Sequence, residues 1–422
     1  MLVRKRIALL PDAGPRGLRD DEGVAQTVDL ENASAVRKAL DIADSLGVLT
    51  VYLDARDAAV PGSAAIHALR LELRRLHHVV RTTWVADERR AGEHLAEVER
   101  RVDAAVLSGE ARNLALFVAL GSGTSFAVEP AGTVPTRAFL GVRSDVRPLC
   151  LAVQAAKAAG VVIVSPEGAR AFEWVPGELR EIWSDRMPEL EGRDLVGPSH
   201  AHPRGLPGAA PGFKVGQQRD LFERRLDDEY ARFITAAGAA VAALAVDRGW
   251  EDVALNGDED LCSAFSRGAP SAVALEIVPI PHLEQWRSTG QLALLVTPWI
   301  EGAREKRAEQ LLRQLEDEAG PGGHATIGLG ETLTALADGR VRRLVVHAEK
   351  PIVGRSSPDG VLAAPGDIPP GTSESALVDD VQLADSMIAR ALDTGAEVIV
   401  VPAATAAGTL LEELDVAALT RW

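Results

Sequence analysis

The run from Gly197 to Gly216, GPSHAHPRGLPGAAPGFKVG, constrains the fold of this 422-residue chain more than any other segment. It holds five glycines and four prolines. Proline removes a backbone donor and fixes φ, and glycine loses the most freedom on ordering, so neither a helix nor a ladder strand suits the run. It reads as an extended arm, and an arm this long inside a compact region is uncommon unless it has a role. Directly behind it, Phe222, Leu226, Tyr230, Phe233, Ile234, Ala237, Val241 and Leu244 keep to one helical face. The spacing predicts a helix from Gln217 to Ala245, with Arg219, Arg224, Arg225 and Arg232 among acids on its solvated side. The helix is a rigid base and the arm is what it carries.

On either side of this pair, strand-like and helix-like stretches alternate, which points to α/β architecture. GVLTVYLD (Gly47 to Asp54) and NLALFVAL (Asn113 to Leu120) read as strands. Between them Leu71, Leu73 and Leu76, then Leu95, Val98, Val102 and Val106, recur at helical spacing. Arg74, Arg75, Arg89, Arg90, Arg100 and Arg101 stud those two helices, either as a solvated face or as a phosphate contact. Pro135 opens a second unit: strand AFLGV, helix LCLAVQAAKAAG, then VVIVSPEGARAFEWV with a turn at Ser165 to Gly168. After the arm and its helix come EDVALN, a helical stretch to Phe265, and AVALEI. From about Pro279 the pattern predicts helices at Glu301 to Ala319 and Glu331 to Ala337, and strand VRRLVVHAE. A Pro, Gly and Ser-rich excursion from Pro351 to Ser375, a helix at Val381 to Leu392, strand EVIVVP and a last short helix complete the chain. Three domains follow, at 1–133, 134–278 and 279–422, with the arm at 197–216 inside the second.

Charge narrows the partners. The net charge of -16 excludes a protein that coats nucleic acid through clustered cations. Lys and Arg stand against Asp and Glu as 17 to 19 in residues 1–133, 16 to 21 in 134–278 and 12 to 21 in 279–422. Any RNA contact is therefore expected from the first two thirds, and the acidic last third suits a protein or water. No stretch approaches the roughly 18 to 20 apolar residues a bilayer requires, so no membrane span is expected. Pro11 and Asp12 interrupt the only candidate signal core, so a cytoplasmic protein is expected. Cys150 and Cys262 are far apart and read as buried apolar positions.

The order of parts resembles a known family. VLTVYLD with NLALFVALG, then VVIVSPEGARAFEWVPGE, the arm leading to RDLFERRLDDEYARFI, and GLGETLTALADGRVRRLVVHAE ending in GAEVIVVP are together similar to the archaeo-eukaryotic class-one peptide-release factor superfamily. The likeness is greatest to its bacterial, Balon-like branch, and it extends more distantly to Pelota. The resemblance implies an N-terminal α/β domain, an RNase H-like middle domain and a C-terminal α/β domain like the kink-turn-binding ribosomal proteins. It also implies a ribosome-associated factor that occupies the A site in hibernation or rescue, contacts rRNA and tRNA, and has a translational GTPase as a partner. Release factors proper carry Gly-Gly-Gln at the arm's tip, where two glycines let the backbone approach the ester and an amide with the glutamine stabilises the oxyanion. The nearest equivalent here is Val215, Gly216, Gln217, Gln218, with β-branched valine where a glycine is expected. Gln217 and Gln218 are thus the candidate catalytic residues of a reshaped peptidyl-tRNA hydrolase. The family's stop-codon-reading motif has no counterpart in the first third, so stop-codon decoding is not expected. A third reading is a non-ribosomal interaction module that kept the architecture.

The remaining candidates surround the arm. His200 and His202 share one face of an extended segment, and with no acidic or cysteine partner nearby they read as solvated or RNA-contacting rather than metal-binding. Arg204, Lys214 and Arg219, with Gly216, are placed to meet phosphate. Gly328-Leu329-Gly330-Glu331 lacks the third glycine of a dinucleotide fingerprint and reads as a helix start. No Gly-x-Ser-x-Gly elbow or His-Glu-x-x-His stands out, so hydrolase chemistry has no positive signal, and no metal, cofactor or small-molecule substrate is expected.

Overall fold

The computed structural model describes residues 34–83, 88–107, 112–187, 213–269, 275–277, 288–320 and 322–422. A short helix α1 (34–40) leads into β1 (Ala43–Leu53). The Asp54 carboxylate accepts from the Arg56 amide and so caps α2 (Ala55–Ala59). Helices α3 (Ala64–Thr83) and α4 (Glu88–Leu107) follow, then β2 (Leu114–Ala119), β3 (Ser125–Val128) and β4 (Arg137–Arg143). The strands form an antiparallel sheet in the order β3-β2-β1-β4. Along β1 the side chains alternate: Leu49, Val51 and Leu53 pack on Leu69, Leu73, Leu95 and Val98 of α3 and α4. Val48 and Tyr52 face a second core. Because β1 is buried on both faces, its edges must be paired, and β4 supplies the second ladder. The strand expected to open the middle domain therefore belongs to the first sheet, and that unit runs on to Arg143 rather than ending at 133.

The middle unit begins with α5 (Arg147–Ala156), β5 (Ala159–Ser165), β6 (Gly168–Val175) and β7 (Glu178–Arg186). It continues with α6 (Phe213–Asp247), β8 (Val253–Asn256), α7 (Glu259–Gly268) and β9 (Leu275–Ile277). Its sheet runs β7-β6-β5-β8-β9, with an antiparallel meander from β5 to β7 and parallel β8 and β9 beside β5. This is the RNase H-like arrangement. Val162 and Val164 pack under α6 and α7, while Val161 and Ile163 point to the opposite face.

That opposite face is covered by α8 (Thr289–Glu318), which starts twelve residues ahead of the helix expected at Glu301. Ser288 and Gln291 form a capping box at its start, and the helix runs through Pro298. An interior proline costs about 3 kcal/mol. Burial of Leu292, Val296 and Ile300 against the middle sheet, and of Leu311, Leu312 and Leu315 in the C-terminal core, offsets this at roughly 1.5 to 3 kcal/mol per side chain. The helix lies wholly beyond the boundary expected at 278/279, yet its first half packs on the middle sheet, so it joins two cores as one strut. Between its halves, Arg304 donates to Ala155 O and Lys157 O and stacks on Trp174 with 5.2 Å to the ring centroid. Arg307 binds Glu251 and Asp252.

The C-terminal unit comprises β10 (Ala325–Ile327), α9 (Leu329–Ala337), β11 (Val341–His347), β12 (Gly354–Ser356), β13 (Leu362–Ala363) and β14 (Val378–Asp380). After these come α10 (Leu383–Asp393), β15 (Glu397–Val401), α11 (Ala406–Leu414) and β16 (Ala417–Thr420). Its main sheet is β10-β16-β11-β15, with β11 and β15 parallel. The expected excursion supplies β12 and β13 of a small sheet, β13-β12-β14, which β14 completes just beyond it. Gly328, at φ 83°, starts α9 with Glu331 in the first turn, as the sequence implies for a helix start. Leu333, Leu344, Met387 and Ile388 share one core with Val48, Tyr52 and Phe117 of the first unit and Leu149 of α5. The first and last units are therefore packed on each other across α5.

Candidate functional site

The candidate site has a described base and an arm that lies outside the described residues. His200, His202 and Arg204 fall outside those residues. Lys214, Gly216, Gln217, Gln218 and Arg219 lie in α6, which begins at Phe213 rather than at Gln217. Thus the last four residues assigned to the arm are helical, and the Gly216-Gln217-Gln218 backbone is a turn of helix rather than a loop tip.

The helix is fixed to the sheet from Tyr230 onward. Ile234, Ala237, Val241, Ala242 and Ala245 are buried against Val162, Val164, Val253 and Leu255, as the helical spacing implies. The Tyr230 hydroxyl donates to Ser165 O at 2.7 Å, tying the helix to the β5–β6 turn. Burial, with the Asp258 carboxylate nearby, pushes this phenol up from its ordinary value. From Phe213 to Tyr230 the helix rises about 25 Å at 1.5 Å per residue. Tyr230→Phe should lower stability by about 1 kcal/mol, the net worth of one hydrogen bond, with the denaturant midpoint as the measure.

Next to this anchor α6 and α7 approach to backbone contact. A Cβ on Gly238 would collide with Phe265 O, and one on Gly268 with Thr235 O. Thr235 Oγ1 lies 2.7 Å from Ala231 O and 3.2 Å from Ala264 O, linking the two helices. The sequence reading passed over both glycines and Tyr230's bond, because the partners lie on other elements. Asp228–Asp247 is also the one segment among the described residues with the length and composition of a membrane span, but one face of it, from Ile234 to Ala245, is packed in the middle core.

The middle sheet carries little of its own chemistry. Two-metal hydrolysis needs carboxylates converging from neighbouring strands, whereas β5 reads AGVVIVS and β8 ends in Asn256. On the first unit, the arginine-studded helices resolve into ion pairs: Arg70 with Asp103, Arg75 with Glu72, Arg89 with Glu93, and Arg100 and Arg101 with Glu97. These pairings favour the solvated-face reading. Cys150 and Cys262 are buried thiols, as expected.

The sequence reading also missed a buried charged cluster where β4 passes into α5, formed by Arg137, Asp145, Arg147, Asp380 and Asp385. No local signal could expose it, since Asp385 comes from the last unit.

Residues 145–296 match the family described as bacterial archaeo-eukaryotic release factor family 10. Among solved structures, the archaeal translation termination factor aRF1 is 14% identical, with 93% of this chain and 98% of that chain covered and a TM-score of 0.23. An archaeal Pelota, solved as a model of ribosome-bound Pelota and ABCE1, is 14% identical over 74% of this chain and 78% of that chain, with a TM-score of 0.38. Dom34 of S. cerevisiae, described as a translation termination-like factor, is 10% identical over 74% and 80%, with a TM-score of 0.34. A comparison with curated proteins gives no match. By the family match, the middle of this chain, from 145 to 296, is similar to the bacterial branch of the archaeo-eukaryotic release-factor superfamily.

Proposed function

We propose that this chain is a ribosome-associated, release-factor-like translation factor that occupies the A site in hibernation or rescue and does not decode stop codons. The observation that carries the reading is the family match, which encloses both the Gly/Pro-rich arm and the helix that bears it. The near balance of charge in the first two thirds is compatible with RNA contacts there, and the acidic last third suits a protein partner such as a translational GTPase. In this reading His200, His202, Arg204, Lys214 and Arg219 meet RNA along the arm and the start of α6. Ribosome association implies the cytoplasm.

Binding is favoured over peptide release by the junction itself. A tip that approaches an ester closely uses the conformational freedom of glycine, whereas Gly216, Gln217 and Gln218 follow Val215 within a helix. Electron cryo-microscopy of ribosomes mixed with the protein is the test, with density expected in the A site and the arm directed toward the peptidyl-transferase centre. Peptide release from ribosomes bearing peptidyl-tRNA, abolished by Gln217→Ala and Gln218→Ala, would show a hydrolase instead. Failure to co-sediment with ribosomes at low salt, where phosphate contacts are strongest, would show an interaction module.

A further inference from the structure

The segment from Ser144 to Arg147 leaves the first sheet and enters α5 of the middle unit, and the first and last units both hold it. From the first unit, the Tyr52 hydroxyl donates to Asp145 O at 2.6 Å and Thr50 Oγ1 accepts from the Asp145 amide at 3.2 Å. The last unit contributes Asp385 Oδ1, which accepts from the Val146 amide at 3.0 Å, and Lys350 O, which accepts from Arg147 Nη1 at 2.8 Å. Gln382 Oε1 accepts from the Arg143 amide, and its Nε2 donates to Arg143 O at 3.1 Å. Asp145 and Asp385 are 1% and 0% exposed, so their charges must be balanced locally.

With the buried Asp380 beside them, the carboxylates outnumber the cations when all are ionised. Arg147 Nε lies 3.7 Å from Asp145 Oδ1 and 3.9 Å from Asp385 Oδ2. Both of those oxygens are buried without a hydrogen-bond partner. The second cation, Arg137, is committed to Asp145 Oδ2 at 2.5 Å. Asp380, the third carboxylate, accepts from the Gln382 amide and the Ser386 hydroxyl. Tyr52 and Cys150, the other titratable groups facing the cluster, are pushed up by burial and stay neutral. Three carboxylates therefore face two guanidinium groups. Neutralising one carboxylate restores the balance.

We propose that Asp385 is a proton-operated latch at the junction of the three units. When it takes a proton from solvent, Arg147 is left to match Asp145 and the 144–147 segment is clamped against α10. When it is ionised, two carboxylates compete for one guanidinium and the clamp loosens. Burial, with Asp145 nearby, pushes the Asp385 carboxyl up to about 7, against the opposing pull of Arg147 and the Val146 amide. Its place in the first turn of α10 favours the ionised form, but burial outweighs that surface-scale effect. A carboxyl raised in the folded state contributes stability that is whole below its ordinary value near 3.8. That contribution is lost progressively as pH rises to about 7, above which it levels off. Acidification tightens the junction.

Amide hydrogen exchange of the full chain between pH 5 and 8.5 tests the latch through the Val146 amide, which donates to Asp385. After correction for the intrinsic exchange rate, protection in the wild type should fall by up to about tenfold per pH unit until about pH 7 and then level off, the slope of one linked proton. Asp385→Asn keeps an acceptor for Val146 and cannot ionise, so its corrected protection should be flat over the same range. Parallel profiles for the two proteins would overturn the proposal. If Asp385→Asn does not fold, the wild-type profile decides alone: a corrected protection that is flat from pH 5 to 7 overturns the latch, and a fall that levels near pH 7 supports it.

Discussion

An Arg147→Met protein should be destabilised by about 3–5 kcal/mol at pH 8, the loss expected when one partner of a buried ion cluster is removed. Arg147 is only 8% exposed, and it is the cation that Asp145 and Asp385 share. Methionine fills much of the same volume, so the loss reports charge and hydrogen bonding more than a cavity. It also removes the donor to Lys350 O, which links α5 to the last unit. The denaturant midpoint of the full chain measures the effect. Adding Asp385→Asn to Arg147→Met removes one stranded carboxylate and should recover part of the loss, so the two changes are not additive. A single variant within 1 kcal/mol of wild type would mean that the cluster is hydrated and that its charges need no pairing.

This cluster also shows why the sequence was only partly legible. Elements whose signal is local were read well: the strand from Gly47, the pairing turn at Ser165 to Gly168, and the apolar face of α6 from Tyr230 to Leu244 all depend on neighbours in sequence. What failed depends on distant partners. The β4 strand could not be assigned to its sheet because AFLGV has no register mark, and only the need of β1 for a second ladder decides it. The helix expected from Glu301 starts at Thr289 and runs through Pro298, because two separate cores hold α8 on either side of the proline. The last strand, β16, is Ala417-Ala418-Leu419-Thr420, poor in β-branched residues, and it is set by pairing on both edges with β10 and β11. Asp145 and Asp385 stand in unremarkable stretches, SDVRP and LADSM, and acquire their character only from burial against each other. The arm's junction was found from composition, but its helical start at Phe213 was not, because glycine and β-branched valine both lower helix propensity there.

The second large effect is expected at the crossing that holds the arm's helix. Glycine to alanine in a helix usually stabilises by about 0.5–1 kcal/mol, so propensity alone predicts a gain for Gly238→Ala. The packing predicts the reverse. The added methyl would meet Phe265 O on α7, a backbone atom that cannot rotate away, and at Gly268 it would meet Thr235 O on α6. Relief requires the two helices to separate, which opens the core of Ile234, Ala237, Val241, Cys262 and Phe265 that both helices cover. Overpacking of this kind costs about 1–3 kcal/mol, and each variant should lose that much by denaturant midpoint. The two should not add, because either methyl alone forces the same separation. Gly290 in α8 is the control: a Cβ there meets nothing within 4 Å, so Gly290→Ala should be neutral or stabilising. If Gly238→Ala and Gly268→Ala match that control, α6 is not held by backbone contact with α7. The rigid base assigned to the arm would then have to come from the Tyr230 bond and side-chain packing alone.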